Sequence, residues 1–139
     1  LESAGVASWC LDMGGTVLGW GRDPDGWPWT VRVADPADPG SALCFLELRG
    51  SRRAVVTAQG ADRADELWTG PADPADGFSQ VTVLGNDTIT ARVLSTAILT
   101  GGVAALSEAT SRWAVDVVAV DHRGVVSATP GVRSLMTAA

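Results

Sequence analysis

Few residues in this chain can do chemistry, and four that can fall in one row: Thr88, Arg92, Thr96 and Thr100. Side chains four apart on a helix lie one above the other, so Arg92 and Thr96 would face the same space. The row belongs to residues 86–102, NDTITARVLSTAILTGG. Apolar Ile89, Val93, Leu94, Ala97 and Ile98 repeat there on a 3.6-residue period and predict the buried stripe of a helix. Asn86 or Asp87 can cap its start, because a short side-chain oxygen accepts an orphan backbone N–H. Gly101 and Gly102 suit its end, where a left-handed residue closes a helix.

The second chemical feature is the pair Gly14-Gly15 at the end of an apolar run. Adjacent glycines after a strand permit positive φ and let a ligand or another backbone come close. Three of the six tryptophans, Trp20, Trp27 and Trp29, flank one turn and offer flat faces to a ring such as a flavin or adenine, or fill a core. His122 is the single histidine and sits in a turn, so it completes no Ser–His or Cys–His pair. Asp62, Asp65, Glu66, Asp73 and Asp76 crowd one long loop and could bind a hard cation, although such clusters are more often solvated loop charge. No His, Cys and carboxylate set has the spacing of a known metal site. Cys10 and Cys44 lie in apolar runs and read as small hydrophobes, with a disulfide between them the alternative, since spacing does not set their distance. No catalytic residue can be assigned from spacing alone.

Composition narrows the classes further. With 139 residues the chain can bury a core, and a net charge of −6 without a basic face argues against a nucleic-acid partner. The ten basic residues are all arginine, which removes Schiff-base and Walker-type lysine chemistry. No uninterrupted apolar run reaches the roughly 20 residues that span a bilayer, so no transmembrane segment is expected. The chain opens without methionine on what reads as the end of a helix, as expected of a fragment, a processed product or a chain lacking its front half.

Elements around these residues read in order as strands, helices and a hairpin. Strands are expected over residues 6–13, 16–20, 29–34, 43–48, 54–57, 79–84, 113–120 and 125–128. Pro24, Asp25 and Gly26 predict a hairpin between the second and third of these. Residues 59–78 form a long acidic connector. A second helix over residues 103–111 should follow the double glycine, and the tail after Gly131 is weakly specified. This order predicts an α+β fold, a mostly antiparallel sheet with helices packed on one face, built as a single domain over residues 1–139.

Four stretches in order resemble the ApbE family of FAD:protein FMN transferases: SAGVASWCLDMGGTVLGWG with PDGWPWTVRVADP, AVVTAQG, GPADPADG, and VTVLGNDTITARVLSTAILTGG. Gly14, Gly15, Gly21, Pro28, Trp29, Asp35 and Pro36 fall on family positions, and Thr57 on the family's Thr-Ser-Gly. The resemblance implies that the N-terminal half of the family's fold is lacking, and that a second chain could supply it. It also implies FAD as ligand, magnesium as metal and a target flavoprotein as recipient of FMN. Family members use the metal to attack the pyrophosphate of FAD, which leaves AMP.

The departures cluster at the metal. Arg92 stands where the family's helix carries an aspartate, while Thr96 keeps the metal-facing threonine. Gly70 stands where the third stretch carries a histidine and Asp76 where it carries a threonine; Asp73, Pro74 and Gly77 match. A fixed positive charge repels magnesium at close range, whereas a guanidinium suits a phosphate. The expected cofactor contacts are therefore Gly14, Gly15, Trp29 and Arg92, with Thr96 at the metal position. Three outcomes follow: impaired or redirected catalysis with nucleotide binding kept, an active magnesium-dependent transferase or pyrophosphatase completed by another segment, or a binding or scaffold module without nucleotide.

Overall fold

The computed structural model describes residues 2–60 and 76–137. Its centre is a six-stranded antiparallel sheet in the order β1-β2-β5-β6-β7-β8, formed by Trp9–Asp12, Thr16–Trp20, Ala54–Gln59, Phe78–Gly85, Asp116–Asp121 and Val126–Ala128. β3 (Thr30–Ala34) and β4 (Ala42–Glu47) pair with each other in a separate two-stranded sheet. The expected α+β class is what forms: a mostly antiparallel sheet with helix packed on one face. The other face carries the β3–β4 ribbon.

Both faces of the central strands are buried, which is why β5, β6 and β7 read as almost continuous apolar runs. On the helix side Val56, Ala58, Val81, Val83, Val117 and Ala119 form one core with the helix. On the ribbon side Val17, Val55, Leu84 and Val118 form a second core with Val31, Val33 and Leu46. The hairpin expected between residues 16–20 and 29–34 does not form. β2 instead pairs with β1 and β5, and the chain through Pro24 and Gly26 carries β3 to the opposite layer. The tail is better specified than expected. Residues Pro130–Ser134 form a 3-10 turn that buries Val132 and Leu135, and Glu47 N–H donates to Leu135 O at 2.7 Å.

The helix, α1 (Thr88–Arg112), starts where the sequence indicates: Asp87 caps it, Oδ1 accepting Thr90 N–H at 2.8 Å. That bond also holds the Asp87 carboxyl below the usual carboxylate range. A straight helix of this length would extend about 37 Å. Yet a Cβ on Gly85, before the helix, would lie 3.5 Å from Val115 Cγ1, after it. The chain must double back, and it does so at Gly102, whose φ of 65° and ψ of −150° belong to glycine's territory. The two helices expected from the double glycine are thus two arms of α1. By length and composition α1 would reach across a membrane. Its break and its inner face on β5 and β6 make it a core element of this fold.

The buried face of α1 differs from the expected stripe. Ala91, Leu94, Ser95, Ile98 and Leu99 are buried, whereas Ile89 is 77% and Val93 60% exposed. Small residues won the contact because a helix lying flat on a sheet needs close approach, and Ala91 and Ser95 permit it. We expect Ile98→Ala to cost about 2–5 kcal/mol in urea unfolding and Ile89→Ala no more than about 0.5 kcal/mol; the reverse order would contradict this helix orientation.

Candidate functional site

Rotation of α1 decides what the polar row faces. With Ala91, Leu94 and Ile98 against the sheet, Arg92 points sideways over the head of β2. Its Nη2 donates to the Oγ1 of Thr16, the buried first residue of that strand. Thr96, one turn on, is half-buried, and its carbonyl accepts the Thr100 hydroxyl at 3.0 Å. Arg92 thus contacts the residue after Gly15, while the Thr96 backbone carbonyl is bonded within the helix.

The glycine pair forms the turn between β1 and β2, with φ of 58° at Gly14 and 78° at Gly15. Asp12 Oδ1 accepts Gly14 N–H at 3.1 Å, and Gly15 O accepts Thr57 N–H at 2.7 Å. The turn is thus tied to β5 yet open outward: a Cβ on Gly14 would meet nothing within 4 Å. On the ribbon side of this turn lie two adjoining recesses of about 340 and 370 Å³ that share Gly15, Arg32 and Thr57. Arg32 Nη1 donates to the carbonyls of Pro39, Gly40 and Ser41 and so pins the loop after β3 over the rim.

A polar ladder floors the first recess. Thr57 faces Thr82 across β5–β6, and Gln59 faces Gln80. The two threonine hydroxyls are 2.9 Å apart, and Gln59 Nε2 donates to Gln80 Oε1 at 2.6 Å. Thr16, Arg32, Gln59, Gln80 and Thr82 were not singled out from sequence. The signal for the ladder was present, since TAQ (57–59) and QVT (80–82) are mirror triplets that an antiparallel pair sets opposite each other.

Trp29 falls elsewhere. It lines a different recess of about 300 Å³ with Gly19, Trp20 and Arg53, and its Nε1 donates to Trp20 O at 3.0 Å. Trp20 lies five residues along the strand from Gly15, about 16 Å away. The Arg53 guanidinium covers the Trp20 ring at 4.8 Å, and Trp27 is 69% exposed. The tryptophans and the glycine pair therefore do not share one pocket. His122 is exposed in the turn before β8, as expected. Gly70, Asp73 and Pro74, with Asp62, Asp65 and Glu66, lie outside the described residues.

Among the described residues no three His, Cys, Asp or Glu side chains converge. Arg92 adds a positive charge one helical turn from Thr96, so these donors do not fit a divalent cation.

A model of the ApbE family matches residues 1–119. The chain belongs to the ApbE family. No individual curated protein sequence matches it significantly. Among solved structures it is similar to the flavin transferase ApbE from Vibrio cholerae, with a TM-score of 0.73 at 21% identity over 97% of this chain and 46% of that one. The ApbE protein of Thermotoga maritima gives 0.73 at 21% identity over 94% and 45%. The flavinyl transferase ApbE of Pseudomonas stutzeri, in its apo form, gives 0.69 at 28% identity over 99% and 48%. The chain thus spans just under half the length of these ApbE proteins, and the likeness establishes the ApbE-type fold.

Both cysteines are free and half-buried beside the second core. Burial raises both thiols above their ordinary range, and Asp12 raises Cys10 further. Iodoacetamide at about pH 8.5, where an ordinary thiol is half ionised, should therefore alkylate the folded protein several-fold more slowly than the urea-unfolded chain; equal rates would contradict the packing given to them.

Proposed function

We propose that this chain is a flavin-nucleotide-binding domain of the flavin transferase type in which Arg92 replaces a metal-ligating carboxylate. FAD is held through its phosphates but is not split through the family's usual metal site. The observation that carries this reading is the Arg92 guanidinium over the head of β2, bonded to Thr16 beside the open Gly14-Gly15 turn. A guanidinium supplies up to five N–H donors in a planar fork and matches phosphate oxygens in pairs. Glycines with positive φ leave the backbone of the turn accessible to a bulky anion. Thr96 stands beside this cation as a neutral hydroxyl and contributes a hydrogen bond rather than charge neutralisation.

FAD, when bound, supplies the pyrophosphate that this cation faces and the ring system that the adjoining recesses accommodate. Thr16 keeps the Arg92 side chain laid across the strand head, which lowers the entropy lost when a phosphate arrives. The Vibrio cholerae and Pseudomonas stutzeri proteins are flavin transferases, which supports a flavin nucleotide as the ligand here.

A second reading has one observation in its favour. The chain spans just under half of the ApbE proteins it resembles. A further segment or a second chain could then bring ligands that complete a magnesium site, giving an active transferase that serves a target flavoprotein. A scaffold without nucleotide is the remaining reading, and absence of any flavin binding would favour it.

Fluorescence titration separates these readings. FAD should bind the protein, and Arg92→Ala should weaken FAD about ten- to a hundredfold, the worth of a charged hydrogen bond to phosphate. The same substitution should leave riboflavin, which has no phosphate, unchanged. Equal FAD affinity in both proteins would overturn the role given to Arg92.

A further inference from the structure

The polar ladder under the β3–β4 ribbon has a direction, and the direction sets what it can recognise. It begins at Ala34 O, a backbone carbonyl that can only accept. Gln80, 1% exposed, must therefore turn its amide nitrogen to it, and Nε2 donates at 3.0 Å. That orientation leaves Gln80 Oε1 facing Gln59. Gln59 must answer with its own nitrogen, as it does at 2.6 Å. Both orientations follow from one carbonyl and need no further assignment. The last atom of the relay is Gln59 Oε1, an acceptor on the half-buried residue that lines the recess. Among the described residues no donor reaches it.

Thr57 stands two residues away on the same face of β5 and lines the same recess. Its hydroxyl pairs with Thr82, which is fully buried. Thr82 can donate to Thr57, which frees the Thr57 proton for a ligand. The recess thus presents an outward acceptor at Gln59 and an available donor at Thr57, between the glycine turn and the ribbon. Of the residues lining it only Arg32 is charged, and that guanidinium is bound to three loop carbonyls at the rim. Such a floor does not attract a phosphate. It fits a neutral heterocycle that offers an N–H next to a carbonyl.

We infer that the recess of Thr57, Gln59 and Gln80 binds the imide edge of a flavin ring, with Gln59 Oε1 accepting the ring's imide N–H and Thr57 donating to the adjacent carbonyl. This rests on the flavin-binding reading above and gives it a division of labour: phosphates toward Arg92 on the helix side of the turn, ring on the ribbon side. Gln59 and Thr57 are binding residues here, and Gln80 is a positioning residue that acts through Gln59.

Methylation of the imide nitrogen isolates the claim without altering the protein. Riboflavin and 3-methylriboflavin are titrated against the whole chain by flavin fluorescence. The methylated ring should bind at least tenfold more weakly, because the Gln59 acceptor is then left facing a methyl group. Gln59→Leu should bind riboflavin more weakly and erase the difference between the two flavins, with circular dichroism confirming an unchanged fold. Equal affinity of the wild-type chain for both flavins overturns the imide assignment while leaving flavin binding itself standing. Failure of both flavins and of FAD to bind overturns this inference together with the reading it rests on.

Discussion

Everything at the candidate site depends on how α1 is rolled against the sheet. Ala91, Leu94, Ser95 and Ile98 lock its inner face onto β5 and β6, so its flank toward β2 is fixed as the one that carries Arg92 and Thr96. Rolling the helix by one residue, about 100°, would take Arg92, itself exposed, away from Thr16 and the head of β2. Burial of a few small and branched side chains thus decides the position of a charge that makes none of those contacts. Gly102 serves the same end. By reversing the chain there, the second arm returns to β7, and β6 and β7 can pair side by side while the first arm lies over β5 and β6.

Much of this was readable before the structure. The eight strands stand close to their expected places, because the alternation and the Gly, Pro and Asp punctuation that mark them are local properties. The helix start was readable from Asp87 and its break from Gly101-Gly102, since capping and positive φ are demands that one or two residues meet. The buried stripe was misjudged by part of a turn. Hydropathy ranks Ile89 and Val93 above Ala91 and Ser95, whereas close packing on a flat sheet selects for size. The partner of β2 was misjudged as well, because a turn between two strands says nothing about which layer the second strand joins.

The site was half legible. Gly14-Gly15 and Arg92 were each picked out by residue type, but only the fold shows that Arg92 reaches Thr16, the residue after the glycine pair and 76 positions away in the chain. Trp29 went elsewhere, since an aromatic beside a turn gives no distance. The glutamine–threonine ladder passed unnoticed, because polar residues inside apolar strands look like solvent-facing alternation until both faces of the sheet are seen to be covered. Such neutral groups carry no charge signature, and only the strand register shows that Gln59 and Gln80 meet.

In the proposed account the turn divides the site into a cationic side and a neutral side, and the permanent charge of Arg92 stands where a divalent metal would otherwise be held. The most direct measurement is to incubate the protein with FAD, with and without magnesium, and to read bound flavin and released AMP together. The account predicts that FAD binds to the same extent in both conditions and that no AMP appears above the protein-free rate. Magnesium-dependent release of AMP by this chain alone would contradict it.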